Sequence, residues 1–499
     1  MQTAAVPTSS LDPRTCERAR LTRDARFDGL FFTAVTSTGI YCRPVCPAPT
    51  PHARNVRYYD SAAAAAAAGF RPCLRCRPEA APGSPLHRAK SELVAGALRL
   101  IEQGALDDGS LPELAARVGV GERHLRRLFA DELGASPLDV AATRRLLFAK
   151  QLLTETALPV ARVAEASGYA SLRRFNAAFV DTYGKPPRDL RRRSRGRGDD
   201  ASSNPESPIP NPDAIELRIP YRAPYDFAHL LAFYARRAIP GVEHVDERAY
   251  RRSIVVDGIP GWFEVCAREG DAALALRVHH PASVALGAIA SRVKRMFDVD
   301  ADPRALAQAL RGSALLKPLL KRWPGQRLPG AWDGFELAVR AVLGQQVSVV
   351  AARTLAARVA NTYGTPCADG AAHGVGMLFP TPATLADAPL EMQGITRARA
   401  ATIRALAQAL LEGRIAFRVE QPLADFERDL VALPGIGAWT AHYVAMRALS
   451  QPDAFPAADL ILRRAAGEGR TLSTRELEAL SQAWRPWRAY AVMLLWRAA

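Results

Sequence analysis

The stretch Leu433-Pro-Gly-Ile-Gly-Ala-Trp-Thr-Ala441 decides the fold of the second half of the chain. It predicts a helix, a tight Gly-x-Gly hairpin and a second helix, whose first backbone N–H groups have no partner inside the helix. The N-terminus of such a helix attracts anions, so this stretch predicts a site that binds nucleic-acid phosphates without regard to base sequence. The residues expected to contribute are Gly435, Gly437, Ala438 and Thr440, and the hairpin is also a candidate site for a monovalent cation.

A carboxylate follows this hairpin in the segment Phe455-Pro-Ala-Ala-Asp-Leu-Ile-Leu462. Asp459 beside a phosphate-gripping hairpin resembles the helix-hairpin-helix glycosylase superfamily. Its place ahead of Leu460 also favours an N-cap, and the two roles are compatible. Members of the superfamily that also nick the backbone need a lysine at position 439 to form a Schiff base, and this chain has Trp439. A terminal four-cysteine iron–sulfur loop is absent too, so the resemblance implies simple hydrolysis by water.

Residues 215–499 more closely resemble 3-methyladenine DNA glycosylase II of the AlkA type. Pro224-Tyr-Asp-Phe, Gly344-Gln-Gln-Val-Ser and Trp484-Arg-Pro-Trp-Arg-Ala-Tyr490 carry the resemblance. It implies an antiparallel α/β subdomain followed by two helical subdomains with the active cleft between them. It also implies Gln346 as the wedge that fills the emptied DNA stack, although the family has an apolar residue there, and Gln345 as a structural residue. The implied catalytic carboxylate is Asp459, and the implied pocket residues are Trp439, Tyr443, Trp496 and Phe233.

The chemistry suits that substrate class. Cleavage of an N-glycosidic bond builds positive charge on the sugar, and a desolvated carboxylate stabilises this charge. Aromatic faces suit a flipped base that alkylation has made cationic. Trp484 and Trp487 are expected to serve packing instead.

Four of the seven cysteines form two close pairs, Cys42 with Cys46 and Cys73 with Cys76. Two pairs supply four thiolates, the donor set of structural zinc; a redox pair at Cys73 and Cys76 is the alternative. An odd number of cysteines without an export signal argues against a disulfide framework. We therefore expect a Zn²⁺ site and no organic cofactor.

The sequence around these cysteines, about residues 13–80, resembles the N-terminal domain of the Ada-type adaptive-response regulators. The matching motifs are Thr38-Gly-Ile-Tyr-Cys42-Arg-Pro-Val-Cys46 and Gly69-Phe-Arg-Pro-Cys73-Leu-Arg-Cys76. The resemblance implies that Cys42 accepts a methyl group from a methylated DNA phosphate, since zinc keeps the sulfur as the nucleophilic thiolate. Methylation makes the site one charge less negative, and our hypothesis is that DNA affinity then rises. The Pro-Cys-His-Arg motif of methylguanine methyltransferases is absent, so Cys266 and Cys367 are expected to accept no methyl group from a base.

Residues 90–193 contain one pattern twice: a short helix, a turn with Gly119 or Gly168, and a basic helix. With a joining helix over about residues 138–153, they resemble the AraC-type double helix-turn-helix domain. Each basic helix is expected to enter a major groove, although a solvated surface is the alternative for any one arginine. Phe129, Phe175 and Phe179 are expected in the core. The candidate DNA-reading residues are Arg123, His124, Arg126, Ser171, Arg173, Arg174 and Asn176.

Three further patterns predict secondary structure. Residues 252–256, 261–266 and 272–278 alternate apolar and polar in part, which predicts an antiparallel sheet. Residues 337–347 are typical of a buried helix, and the alanine run 62–68 predicts a short surface helix.

The predicted fold class is multidomain and mostly α, with α+β parts. A basic run followed by Ser, Asn, Pro and Asp predicts a disordered linker between two halves. The predicted domains are a zinc-binding methyl-acceptor domain (1–84), a double helix-turn-helix domain (88–193), the linker (194–213), an antiparallel sheet subdomain (214–295) and a helix-hairpin-helix glycosylase domain (296–499).

The overall charge agrees with a nucleic-acid partner. The 499 residues include 66 Lys and Arg against 50 Asp and Glu, a net charge of +16. No long apolar run and no secretory leader are evident, so we expect a cytoplasmic protein without a membrane partner. The expected partners are alkylated and promoter double-stranded DNA, with RNA polymerase as a further candidate. The alternative function is a DNA-binding regulator whose glycosylase-like half is inactive.

Overall fold

The structure is a computed structural model that describes residues 11–83, 91–196, 214–467 and 469–499. The chain forms two compact units. The first comprises the chain up to Pro220 together with His280–Ser291, and the second comprises Tyr221–His279 and Arg292–Ala499. Most of the predicted linker, residues 197–213, lies outside the described residues, whereas residues 194–196 end a helix.

The first unit begins with a small α+β layer around the cysteines. Its sheet has the order β3-β1-β2-β4, with β1 antiparallel to β2 and β3. Phe32, Tyr41 and Tyr59 pack inside it. The elements are α1 (Pro13–Leu21), β1 (Phe32–Val35), β2 (Ile40–Cys42), β3 (Val56–Tyr59), α2 (Ala62–Ala67) and β4 (Arg71–Pro72).

The alanine run forms the predicted helix, but the prediction that this helix lies on the surface is wrong. Ser61 caps α2 by accepting a hydrogen bond from the Ala64 N–H. Ala63, Ala64 and Ala65 are buried, because their small side chains let α2 pack closely on its neighbours.

A helical layer follows and contains the predicted pair of helix-turn-helix units. The two basic helices lie where the repeat predicts them, and Phe129, Phe175 and Phe179 are fully buried as expected. The helices are α3 (Glu92–Glu102), α4 (Leu111–Arg117), α5 (Glu122–Leu133), α6 (Pro137–Glu155), α7 (Val160–Ala166), α8 (Leu172–Tyr183) and α9 (Pro187–Gly196), with strand β5 (Ile215–Pro220) after them.

A buried ion pair ties the cysteine layer to helix α6. The Lys150 ammonium lies 2.7 Å from the Glu79 carboxylate, and both side chains are at most 3% exposed. Lys150 also donates to the carbonyl of Cys73 at 3.4 Å. A charge buried this deeply is tolerated only with its partner, so the pair fixes how α6 sits on the cysteine layer.

The second unit contains helix α10 (Phe227–Ala235) and an antiparallel meander. Strands β6 (Glu243–Val245), β7 (Ala249–Val256), β8 (Ile259–Ala267) and β9 (Ala273–His279) pair in sequence order. The three segments predicted as strands correspond to β7, β8 and β9, which confirms the antiparallel sheet.

Helices make up most of the rest of the second unit. They are α11 (Leu286–Met296), which begins in the first unit, α12 (Pro303–Leu310), α13 (Leu316–Arg322), α14 (Gly334–Leu343), α15 (Val349–Tyr363), α16 (Pro382–Ala386), α17 (Arg397–Leu411), α18 (Leu423–Val431), α19 (Ala438–Ala448), α20 (Leu460–Ala465), α21 (Thr474–Ser481) and α22 (Arg488–Ala498), with strands β10 (Thr365–Pro366) and β11 (Met377–Leu378) between α15 and α16. No helix in the described ranges is both long and apolar enough to cross a bilayer.

Helix α14 is buried as predicted, but it ends sooner than the apolar pattern indicates. Leu337, Val342 and Leu343 are buried, whereas Val347 is exposed and lies beyond the helix. Gln346 adopts a left-handed backbone conformation (φ +55°) that no α-helix accommodates, so the chain turns there before α15 begins.

Candidate functional site

Asp459 lies at the N-terminus of α20, where three N–H groups hold its carboxylate. The Leu462 backbone N–H donates to Oδ1 at 2.9 Å and thereby caps the helix. The indole of Trp439 donates to Oδ2 at 2.9 Å, and the indole of Trp496 donates to Oδ1 at 3.2 Å. The side chain is half-buried. The carboxylate is therefore both a helix cap and a fixed negative charge beside two aromatic rings.

Three aromatic rings form a cluster beside this carboxylate. Trp439 and Tyr443 are four residues apart on α19, so they share one face of the helix. Their rings stack at 5.3 Å with an interplanar angle of 6°. Trp496 on α22 tilts against Tyr443 at 6.3 Å. The structure thus brings Asp459, Trp439, Tyr443 and Trp496 together.

Two arginines that the sequence did not predict as site residues contact the ring of Phe233 on α10. The guanidinium carbon of Arg237 lies 3.8 Å from the centroid of the Phe233 ring, and that of Arg447 lies 4.9 Å from it. Arg447 also donates to the Tyr443 hydroxyl at 2.7 Å. One signal was available in the sequence, because Arg447 follows Tyr443 by one helical turn on α19.

The two arginines change the acidity of Tyr443. Burial acts to raise the pKa of the phenol, but the positive charges of Arg447 and Arg237 outweigh it and lower the pKa to about 8. Arg447 is buried and held by the carbonyls of Pro329 and Gly330. The side of this residue cluster that holds Arg237 and Arg447 is therefore positive, whereas the side that holds Asp459 is negative.

The predicted hairpin between α18 and α19 is tightly built. Gly435 has a left-handed backbone (φ +88°), and a Cβ added there would lie 2.1 Å from the Thr402 hydroxyl. A Cβ at Gly437, the N-cap of α19, would meet nothing within 4 Å. The side chain of Gln345 donates to the Gly435 carbonyl at 2.9 Å, in keeping with its expected structural role.

The remaining hairpin residues differ in what they present. Gly435, Gly437 and Ala438 are exposed. The Thr440 side chain is buried and accepts a hydrogen bond from Gln345 at 3.4 Å, which leaves its backbone N–H as the candidate phosphate donor. Gln346 is exposed on the nearby turn.

In the first unit, the four predicted cysteines converge. Their Sγ atoms all lie within 4.8 Å of one another, and a tetrahedral zinc site with bonds of about 2.3 Å needs sulfur separations of about 3.8 Å. The backbone N–H of Arg43 donates to the Cys76 sulfur at 3.3 Å, and the N–H of Arg75 donates to the Cys73 sulfur at 3.3 Å. Such bonds favour thiolates, so the donor set fits Zn²⁺.

The four sulfurs differ in access to solvent. Cys73 and Cys76 are buried, whereas Cys42 and Cys46 are half-buried. Arg43 lies next to Cys42 and forms an ion pair with Asp28. Cys42 and Cys46 are therefore the more accessible of the four sulfurs.

The candidate DNA-reading residues lie on α5 and at the start of α8. Arg123, Arg173 and Arg174 are exposed. Arg126 is paired with Glu122 at 2.7 Å, and the ring of His124 contacts Arg127. Ser171 caps α8 through the Arg174 N–H, and Asn176 is half-buried. The exposed arginines are thus the most available, whereas Ser171 and Arg126 already have partners within the protein.

Family models match four consecutive parts of the chain. They are described as the metal binding domain of Ada (15–79), a helix-turn-helix domain (114–193), the AlkA N-terminal domain (216–333) and an HhH-GPD superfamily base excision DNA repair protein (339–489).

Known proteins resemble this chain over its whole length or over its second half. The protein named "Probable bifunctional transcriptional activator/DNA repair enzyme AlkA" of Mycobacterium tuberculosis is 41% identical over 97% of this chain and 96% of its own. DNA-3-methyladenine glycosylase 2 of Escherichia coli is 33% identical over 55% of this chain and 95% of its own. The solved 3-methyladenine DNA glycosylase of Archaeoglobus fulgidus shares the fold, with a TM-score of 0.50 and 23% identity over 56% of this chain and 97% of its own.

Fold and family matches define the second half of the chain as a DNA glycosylase of the HhH-GPD superfamily, which confirms that expectation. An Ada-type metal-binding domain and a helix-turn-helix domain precede it. The whole chain belongs to the family of Ada/AlkA-type bifunctional transcriptional activators and DNA-repair enzymes.

Proposed function

We propose that the second unit hydrolyses the N-glycosidic bond of alkylated bases in DNA, of the 3-methyladenine type, with Asp459 as the catalytic carboxylate. The observation that carries this proposal is the carboxylate held by the two indole N–H groups of Trp439 and Trp496. These donors fix both oxygens, so no reorganisation is needed when positive charge develops nearby.

The reaction follows from this geometry. The bond between the base nitrogen and the sugar breaks, and its electron pair leaves with the base. The sugar becomes cationic, the Asp459 carboxylate stabilises it, and water adds to the sugar carbon while losing a proton. Trp439, Tyr443 and Trp496 offer faces to the flipped base. Position 439 carries no amine, so no Schiff base with the sugar forms there.

DNA binding by this unit is assigned to the hairpin. The N–H groups of Gly437, Ala438 and Thr440 are the proposed phosphate donors, with a monovalent cation bound to the hairpin. Gln346 is the proposed wedge, because it is exposed and its strained backbone holds it out of the helix.

The test is release of bases from methylated duplex DNA, followed by alkali to cut at abasic sites. Asp459→Asn is expected to lower the single-turnover rate by at least about 100-fold, because a fixed charge next to the cationic sugar is lost. Asp387→Asn, at an exposed aspartate, is the matched control and is expected to act as wild type. Equal release from wild type and Asp459→Asn would contradict the assignment, and no release by wild type would favour an inactive glycosylase-like module.

For the first unit we propose Zn²⁺ bound by the four cysteines and methyl transfer to Cys42. The Cys42 thiolate attacks the methyl carbon of a DNA methylphosphotriester, an S–C bond forms, and the C–O bond breaks. The phosphate leaves as an ordinary anionic diester, and Cys42 becomes a thioether. The half-buried position of Cys42 supports this role.

Mass spectrometry of peptides after incubation with methylphosphotriester DNA tests the acceptor. One methyl group is expected on Cys42, and none on Cys266, which lies on β8 outside the cluster. Cys42→Ala is expected to remain unmodified, and methylation at Cys46 instead would contradict the assignment.

We further propose that the helix-turn-helix pair reads promoter DNA through α5 and α8, with RNA polymerase as its partner in activation. The exposed side chains of Arg123, Arg173 and Arg174 support base or phosphate contacts. Substitution of Arg173 by alanine is expected to lower operator affinity, measured by fluorescence anisotropy at fixed salt. Unchanged affinity would assign this arginine to a solvated surface.

A further inference from the structure

Helix α19 contacts the segment that carries Asp459 at two points. At one point, the indole of Trp439 donates to the Asp459 carboxylate at 2.9 Å. At the other, the backbone N–H of Phe455 donates to Nδ1 of His442 at 3.1 Å. Trp439 and His442 are three residues apart, so they lie on the same side of the helix. One helix therefore holds both ends of the segment from Phe455 to Asp459.

Short turns join the two ends of this segment. The Ala457 N–H donates to the Phe455 carbonyl at 3.0 Å, and the Asp459 N–H donates to the Pro456 carbonyl at 2.9 Å. The Phe455 side chain is 1% exposed, and its ring packs against Trp484 with the centroids 5.9 Å apart. A shift of the Phe455 backbone is therefore transmitted to Asp459, because only these two turns lie between them.

The hydrogen bond from Phe455 determines which nitrogen of His442 carries a proton. Nδ1 accepts this bond, so it is unprotonated, and the neutral ring carries its proton on Nε2. Nε2 lies 3.3 Å from the carboxylate of Glu427 on α18, which accepts that N–H and fixes the tautomer. An imidazolium has N–H groups on both nitrogens, so it would oppose the Phe455 N–H and break the hydrogen bond.

The groups around His442 keep its ring neutral at neutral pH. Burial of the ring is the largest influence and lowers the pKa of His442 below its ordinary value, and the positive charge of Arg488 on α22 lowers it further. Glu427 and Glu478, on α18 and α21, act in the opposite direction, because their negative charges favour an imidazolium. Arg488 is itself paired with Asp453 at 2.8 Å and with Glu478 at 2.9 Å. The ring therefore becomes charged only in acid.

We propose that neutral His442 is the positioning residue that holds the Asp459 segment in place, and that its protonation in acid releases the segment and slows base release. The inference rests on the proposed glycosylase function and adds a regulation of the same site by pH. His442 acts through the Phe455 backbone rather than on the substrate. Stabilisation of a cationic sugar needs the carboxylate at a fixed place, and a displacement of about 1 Å is enough to cost about 100-fold in rate.

Two amide substitutions of His442 test the proposal. His442→Asn puts its amide oxygen close to the position of Nδ1, where it can accept the Phe455 N–H, but it does not titrate. His442→Gln puts its amide close to the position of Nε2, so it keeps a contact with Glu427 and loses the acceptor for Phe455. His244→Asn is the matched control, at an exposed histidine on β6.

The measurements are single-turnover release of bases from methylated duplex DNA, from acid to neutral pH, and the affinity for the same duplex. Wild type is expected to slow as pH falls through the pKa of His442, by about tenfold for each pH unit at most. His442→Asn is expected to stay within about threefold of wild type at neutral pH and to keep its rate to lower pH than wild type does. His244→Asn is expected to have the wild-type profile.

His442→Gln is expected to release bases about 10- to 100-fold more slowly at neutral pH with unchanged DNA affinity, because the carboxylate is displaced while the hairpin is not. Glu427→Gln removes a negative charge that raises the pKa of His442. It is therefore expected to move the acid decline to lower pH, which a purely structural role of His442 would not do.

Three results would overturn the inference. The same acid decline in wild type and His442→Asn would assign the decline to another group. Equal release by His442→Gln and wild type would show that the Phe455 hydrogen bond does not position Asp459. A loss of DNA affinity in His442→Gln as large as the loss of rate would assign His442 to the packing of α18 on α19. All three leave the effect of Asp459→Asn standing, whereas failure of wild type to release any base removes the proposed function itself.

Discussion

Substitution of Gly435 by alanine tests how the hairpin is built. An alanine in the left-handed region costs about 1–2 kcal/mol relative to glycine. Its Cβ would lie 2.1 Å from the Thr402 hydroxyl, which donates to the carbonyls of Ala398 and Pro434 at 3.0 Å each. Relief of that overlap breaks one or both hydrogen bonds, each worth about 1 kcal/mol. We therefore expect Gly435→Ala to destabilise the second unit by about 2–4 kcal/mol.

A double-mutant cycle separates the two contributions. Thr402→Ala removes the overlapping oxygen, so Gly435→Ala is expected to cost only the backbone strain of about 1–2 kcal/mol in that background. Gly437→Ala is the matched control, because its Cβ meets nothing within 4 Å. It is expected to cost less than about 1 kcal/mol of stability. It should nonetheless weaken binding to duplex DNA, since the new methyl group stands where a phosphate would approach the N–H groups of α19.

Stability is measured by urea unfolding monitored by tryptophan fluorescence. DNA affinity is measured by the fluorescence anisotropy of a labelled duplex. Gly435→Ala as stable as wild type would refute the close packing of the hairpin on Thr402. An equal cost of Gly435→Ala with and without the Thr402 hydroxyl would assign the whole effect to backbone strain. Unchanged DNA affinity in Gly437→Ala would refute the assignment of the α19 N-terminus as the phosphate site.

Three more predictions concern charge and metal. Lys150→Met leaves the buried Glu79 with Arg77, 3.3 Å away, as its remaining ion-pair partner and is expected to lower the stability of the first unit by up to about 3 kcal/mol in thermal unfolding; Glu79→Gln in the same background should restore part of it. The pKa of Tyr443 is about 8 in the folded protein against about 10 when unfolded, so stability should rise with pH between these values. This gain is lost as pH falls through 8, and Tyr443→Phe should abolish the slope; a slope that persists in the variant would contradict the assignment. Removal of metal by a chelator should unfold the cysteine layer, seen by circular dichroism, and unchanged spectra would contradict a structural Zn²⁺.

The hairpin, helix α19 and the sheet strands could be predicted from the sequence, because a short local pattern determines each of them. The LPGIG stretch specifies a turn that only glycine forms easily, and the spacing of Trp439 and Tyr443 places both on one side of a helix. Partial alternation in the sheet region gave three strands correctly, although β7, β8 and β9 are buried along much of both faces. Trp496 and Phe233 were expected as pocket residues only from the family resemblance, because contacts between residues distant in sequence leave no local pattern.

The errors have physical causes as well. The alanine run has high helix propensity, but its burial depends on how closely neighbouring elements approach, which propensity does not report. Val347 fitted an apolar period that the strained turn at Gln346 interrupts. Arg237 and Arg447 escaped notice because an arginine on a helix is usually solvated, and only the tertiary structure shows them against Phe233.

The proposed catalytic role of Asp459 depends on a short helix that the same residue caps. Helix α20 has six residues, too few to persist without tertiary support, and its first turn depends on the same oxygen that one indole contacts. If that turn frays, the Asp459 carboxylate is free to move away from the two indoles. Heat inactivation should then precede global melting, and adaptation to warmer habitats should act first on the packing beneath α20.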